Sequence, residues 1–490
     1  MSLFALRFDQ ARKRLVQAGA VLVTGALVAG CGAGYRPVIS PINPSGPAPQ
    51  PTSLVAVVST PSPSSPGVAT IIDYAGDTIV ARSPIGPDPT SFTIDQTGST
   101  GYTVNSDGTL TNFPVSSQLQ QKNVEYTTLP TTSKLVNLFS PSAGLWAGDL
   151  TGDVVDVLTG FPETFKLSIP VAPTPMMIVG PAQVGQRNYV ISQGFTDTTG
   201  VACNVAPQSA GALGEADAIE AETNTVSARI PLGKCPVYGV QSADGRRLFV
   251  LNRGDDTITV INSQNNTLDA CTPFLNQAGQ LVTCHPSLPL STAAGLNGPN
   301  APAIAGPVYA EYNSITNQIV VADYDGGTIS VIDVSLDVYG NDGPTFGTTF
   351  TIPVGTNPAS VTALNDGSRA YTANQADGTV SVVDLSSHTL TKTLPVNGHP
   401  RTVVSTQNSL YGKVYVASPD SPYLTILRTD QDIVDTTVLV QGNIVDVRTS
   451  TQDASRGNAN VVSRKPGFGQ PCNLPPNIQA PAAATCSKMP

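Results

Sequence analysis

From residue 54 to about residue 449, apolar residues come in short runs of strand length, and each run stops at Gly, Pro, Asn or Asp. The clearest stretch is 358–396. It reads Pro-Ala-Ser-Val-Thr-Ala-Leu, then Arg369 to Asn374, then Gly378 to Asp384, then Thr391 to Val396. Each piece alternates or runs apolar over four to eight residues, which predicts a strand. Asp366-Gly367 and Asp377-Gly378 between them are hairpin signals. The pattern predicts a four-stranded antiparallel unit with strands a, b, c and d. Its b–turn–c core recurs. Leu248–Asn252 leads to Thr257–Asn262, Ile319–Asp323 to Thr328–Asp333, and Val414–Ser418 to Leu424–Leu427. Weaker copies are Gly101–Asn105 with Thr109–Asn112, Gly144–Gly148 with Asp153–Val157, and Arg187–Ser192 with Asp217–Ala221.

Tyr371-Thr-Ala-Asn374 and the following Gly378-Thr-Val-Ser-Val-Val-Asp384 resemble the YVTN-type β-propeller repeat. The resemblance covers 54–449, strongly from about 234 to 442. It implies an all-β fold of four-stranded antiparallel blades. Complete units start near Asp88, Thr131, Pro173, Cys235, Gly306, Asn357 and His399. Residues 54–86 read as b, c and d without an a, and Asn443–Arg448 as an a without the rest. Pairing these pieces gives eight blades and a ring with no orphan edge. Seven blades is the alternative, if the weak first repeat is not a blade. The repeat specifies fold, not function, because propellers host unrelated activities.

Composition agrees with many short strands and tight turns. Gly and Pro number 44 and 42, while charged residues are only 12%. Formal charge is −10, and without residues 1–30, which are net basic, it is about −13. That excludes a nucleic-acid partner, which requires basic clusters.

The N-terminus is different. Arg7, Arg12, Lys13 and Arg14 precede a mostly apolar stretch that ends Leu27-Val-Ala-Gly-Cys31. It is short of the roughly 20 apolar residues of a membrane span. The pattern resembles a bacterial lipoprotein signal. That implies a signal peptide at 1–30, cleavage before Cys31 and acylation of Cys31, with stable anchoring once two or more chains are attached. Gly32, with no Asp there, points to the outer rather than the inner membrane. Residues 31–53 are proline-rich and read as an extended tether. The expected layout is therefore signal, tether, propeller over 54–450 and tail over 451–490.

With Cys31 lipidated, six cysteines remain: Cys203, Cys235, Cys271, Cys284, Cys472 and Cys486. An oxidising envelope predicts three disulfides. Of 15 connectivities, 203–235, 271–284 and 472–486 are favoured.

Loops sort by face. The a–b and c–d turns share one face, and the b–c turns and d–a links share the other. Insertions 193–216 (b–c) and 269–305 (d–a) go to the b–c/d–a face, and insertion 336–347 (c–d) goes opposite. The b–c/d–a face is the candidate binding face. It carries Asp149, Asp153, Arg253, Asp255, Asp256, Asp323, Asp325, Asp377, His399 and Asp420. These acids suit either a cation rim or ordinary turn chemistry, and turn chemistry is favoured.

The histidines, His285, His388 and His399, fall in separate loops. No zinc-protease, nucleophile-elbow or phosphate-loop motif is present. Trp146 is the single Trp, which counts against tryptophan-rich quinoprotein blades. No catalytic residue, metal or cofactor is assigned. The expectation is a non-catalytic, lipid-anchored platform for an envelope protein or glycan. A lactonase-like or other hydrolytic propeller is the alternative, and a passive surface-coat component is the second.

Overall fold

The computed structural model describes residues 54–450, apart from 96–97, 117–124, 129–134, 141–143, 161–162, 181–186, 195–212, 277–278, 291–303 and 407–411. The expectations for Cys31, Cys203, Cys472 and Cys486 fall on residues outside those described. Among the described residues there are strands and no helix, hence none long and apolar enough to cross a membrane.

The strands form eight antiparallel blades. Strand a begins at Pro89, Leu135, Pro175, Pro236, Pro307, Pro358 and Thr402 in blades 1 to 7, close to the expected unit starts. Blade 8 is composite. Its strand a, Asn443–Thr449, lies beside Leu54–Thr60, followed by Pro66–Asp73 and Thr78–Pro87. The register runs Val55 opposite Thr449 to Thr60 opposite Asn443. The two ends of the repeat region thus close the ring as expected. The inner strands touch in cyclic order, and blade 8 returns to blade 1.

Period-two alternation explains the stacking. In blade 8, Val55 and Val57 pack with Val404, Tyr415 and Ile426 of blade 7. The intervening Leu54, Ala56 and Val58 pack with Phe92, Ile94 and Phe113 of blade 1. Each strand b therefore belongs to two cores at once. Strand d loses the pattern because its outer side meets water: Thr389–Pro395 is largely exposed.

Five inner strands start with proline and bulge just after it. Proline suits this place because strand a is an edge and its first residue needs no ladder N–H. Polar side chains then tie neighbouring inner strands around the axis. Asn137 Oδ1 accepts from Ile178 N–H at 3.0 Å, and Ser360 Oγ from Val403 N–H at 3.1 Å. Thr402 Oγ1 donates to Asp446 Oδ1 at 2.7 Å, and Asp446 pairs with Arg448 at 2.6 Å. Arg448 in turn donates to Phe92 O in blade 1 at 3.2 Å. All these side chains are buried, so this part of the inner ring is a packed polar seam.

The repeat has a hydrogen-bond code. The Asn ending strand b donates to hydroxyls at the first and third positions of strand c. Asn105 bonds Thr109 and Thr111, Asn252 bonds Thr257 and Thr259, and Asn374 bonds Thr379 and Ser381, all at 2.8–3.1 Å. This pins the b–c turn and accounts for the Asn…Thr-x-Ser/Thr pattern.

Ring closure gives a test. Ile444 is buried in the closing strand, whereas Ile433 sits on an outer strand and is partly exposed. Ile444→Ala is expected to cost about 2–5 kcal/mol, as for a large-to-small change in a core. Ile433→Ala is expected to cost under about 1 kcal/mol. Urea denaturation of both variants checks the contrast.

Candidate functional site

The expected binding face is built on capped turns. Carboxylates of the b–c turns reach the d–a link beside them and accept its backbone N–H. Asp153 takes Thr174 (2.8 Å), Asp255 takes Lys234 (2.5 Å) and Asp256 takes Gly306 (2.7 Å). Asp377 takes Thr356 (2.6 Å), and Asp420 takes His399 (2.8 Å). Asp149 caps its own turn through Thr151 N–H at 2.9 Å. Asp and Asn are used this way in turns generally. Arg253, although only 1% exposed, is held by Asp325 in a two-pronged pair at 2.8 and 2.9 Å and lies 5.4 Å over the Tyr324 ring. Gly306, with φ +59°, makes room for that pair, since a Cβ there would meet Asp325 at 1.9 Å. His399 Nδ1 lies 2.6 Å from Asp420 Oδ2 and its ring is exposed.

These residues share a face but do not converge. Among the described residues, no three His, Cys, Asp or Glu side chains are grouped as a metal ion would need. The histidines lie apart. His399 is with Asp420, His388 stacks on Phe350 at 3.7 Å, and His285 is with Asp342.

Asp323 is the chemical exception on this face. It occupies the place of Asn252 and Asn374 and is fully buried. Its Oδ2 accepts from Thr328 (3.1 Å) and Ser330 (2.7 Å). Burial raises the carboxyl to about 7, the two hydroxyls opposing and Asp256 adding to the rise.

The insertions are arranged differently from the expectation. Residues 269–305 do not all form a d–a link. Strand d of blade 4 is split, Thr267–Leu268 and Ser287–Pro289 both pairing with Thr257–Asn262. Residues 269–276 and 279–286 lie out of the blade between the halves. Besides strand c, they contact Arg247 at the a–b end of strand b in blade 4 and Asp337 and Asp342 of the c–d insertion of blade 5, which belong to the opposite face. The reason is that strand c still has an open edge, and Ser287–Pro289 returns to fill it.

A disulfide joins Cys271 and Cys284, as expected, with Cα atoms 5.5 Å apart. Cys235 is also disulfide-bonded. Inside the stapled loop, Phe274–Leu275 pairs with Leu281–Val282. Leu275 and Leu281 face each other across that ladder, each 67% exposed. Asn276, next to Leu275, donates to Asp337 Oδ2 at 3.4 Å in the blade 5 insertion. Next to Asp337 are Val338, 90% exposed, and Tyr339, half exposed. The Asn276–Asp337 bond thus brings the exposed apolar residues of two neighbouring insertions near one another, as a crest outside the repeat.

Under the crest is a buried polar cluster that sequence reading did not single out: Arg247, Asp269 and Asp342, with His285 at its edge. The available signal was that blades 4 and 5, which are adjacent, both carry insertions.

No protein-family model matches the chain, and no curated protein matches it. Solved structures do. Apo AztD from Citrobacter koseri superposes with a TM-score of 0.54 at 12% identity, covering 81% of this chain and 97% of that one. The dihydro-heme d1 dehydrogenase NirN, in complex with DHE, gives 0.53 at 16%, covering 84% and 76%. At such identities the likeness shows the fold, an eight-bladed β-propeller.

Asp323 yields a pH prediction. The unfolded carboxyl ionises from about pH 4, the folded one only near 7. Stability contributed by its neutral form therefore falls as pH rises through that window, by roughly 2–4 kcal/mol in all. Asp323→Asn, the residue used in blades 4 and 6, is expected to flatten this slope and to be more stable than the parent at about pH 8. Urea denaturation across pH checks it. A parent slope unchanged in the variant contradicts it.

Proposed function

We propose that this chain is a lipid-anchored propeller of the bacterial envelope that recognises a protein partner through the crest of Leu275, Leu281, Val338 and Tyr339. The observation that carries the reading is the exposure of these side chains on two fastened insertions. Clustered exposed apolar residues mark interaction surfaces. Aliphatic side chains predominate, which favours apolar protein contacts over a glycan. The b–c/d–a acids fit this reading, because their carboxylates are committed to holding turns. The anchor rests on the Cys31 pattern, with 31–53 as the tether that presents the propeller.

Binding is tested with Leu275→Asp/Leu281→Asp. The parent is expected to capture an envelope protein in direct pull-down, and the double variant to lose it at least about tenfold, with an unchanged denaturation midpoint. Retained capture, or capture abolished by digesting glycans, contradicts the proposal. Anchoring is tested with Cys31→Ser. The protein is expected to move from the membrane to the soluble fraction, and continued retention counts against a lipid anchor.

A further inference from the structure

The cluster under the crest joins three elements. Arg247 opens strand b of blade 4, Asp269 and His285 stand at the two ends of the stapled loop, and Asp342 belongs to the blade 5 insertion. Arg247 Nη2 is 3.1 Å from Asp269 Oδ1 and 3.2 Å from Asp342 Oδ1, and it donates to Gly340 O at 3.2 Å. Asp342 Oδ2 accepts from His285 N–H at 3.1 Å and lies 2.8 Å from His285 Nδ1. The His285 ring stacks on Phe346. Both carboxylates thus meet the same guanidinium nitrogen, and Asp269 Oδ2, although buried, has no hydrogen-bond partner among the described residues. The Arg247, Asp269 and Asp342 side chains are at most 3% exposed.

We propose that Arg247, Asp269, Asp342 and His285 form a proton-dependent clasp that locks the stapled loop to the blade 5 insertion and releases it when the carboxyl pair loses its proton. Its use in regulating recognition rests on the crest being the binding surface, although the clasp itself operates without a partner.

The charge balance gives the direction. With one proton on the pair, a single carboxylate faces the Arg247 guanidinium and the buried site is neutral. Without it, two carboxylates face one guanidinium out of water, which is costly. Burial raises the Asp269 carboxyl to about 6, the Asp342 charge adding and Arg247 opposing. In an opened loop the group would ionise near its ordinary value. The closed state is therefore favoured at low pH and weakens as pH rises toward and past 6. The surrounding charges are more exposed or otherwise engaged. Asp244 lies near Arg246, Asp337 bonds Asn276 and Asn341, and Asp333 caps Ser335. The disulfide keeps the loop ends together, so opening is local.

Hydrogen exchange on the isolated protein, corrected for intrinsic rates, tests the clasp. Amides in 269–286 and 334–348 are expected to lose protection at least about tenfold between about pH 5 and pH 7.5. Thr379–Asp384 in blade 6 should hold steady. Asp269→Asn, uncharged at every pH, is expected to keep its low-pH protection at pH 7.5. Equal parent protection at both pH values overturns the clasp, and so does a pH response that survives in Asp269→Asn. Because no partner is present, failure here is distinct from failure of crest binding.

Discussion

A twisted four-stranded sheet with two apolar faces is not stable alone, and that constraint organises the whole chain. Alternation puts Val55 and Val57 on one side of a strand and Leu54, Ala56 and Val58 on the other. Each blade must then be covered twice, and only a closed ring covers all of them. Closure falls to Asn443–Thr449 against Leu54–Thr60, segments almost four hundred residues apart. Such a contact carries a loop-closure cost, but once formed it makes every blade interior.

Inside that ring, polar groups serve the backbone. Asn at the end of strand b fixes the strand c hydroxyls, and Asp in the b–c turn fixes the next link. These bonds recur because each blade faces the same problem: an irregular turn exposes N–H groups that need acceptors. The acid-rich rim suggested by the sequence is the visible part of this scaffold. Asp323 shows how close scaffold and chemistry lie. One oxygen in place of an amide nitrogen turns a neutral hydrogen-bond donor into a buried acid.

The repeat was legible because period-two runs and Asp-Gly turns are local. Blade count and the composite eighth blade followed from them, and the Cys271–Cys284 pairing from the insertion in which the two cysteines bracket a loop. The position of the stapled loop was not legible. Thr267–Leu268 and Ser287–Pro289 are too short to read as strands, so the loop between them looked like part of a link. The Arg247–Asp269–Asp342 cluster was hidden for the same reason. Its members are far apart in sequence, and each alone reads as a surface charge.

The insertions reverse the logic of the ring. In the blades, apolar burial holds polar turns in place. In the crest, a disulfide and a buried ion cluster hold leucine and valine outward. A loop built merely to cover the strand c edge would turn Leu275 and Leu281 inward, as Val282 and Leu288 already are. Charged groups also provide what apolar packing does not, a hold whose strength depends on protonation. The ring therefore supplies a base, and the adjustable hold lies between the stapled loop of blade 4 and the insertion of blade 5.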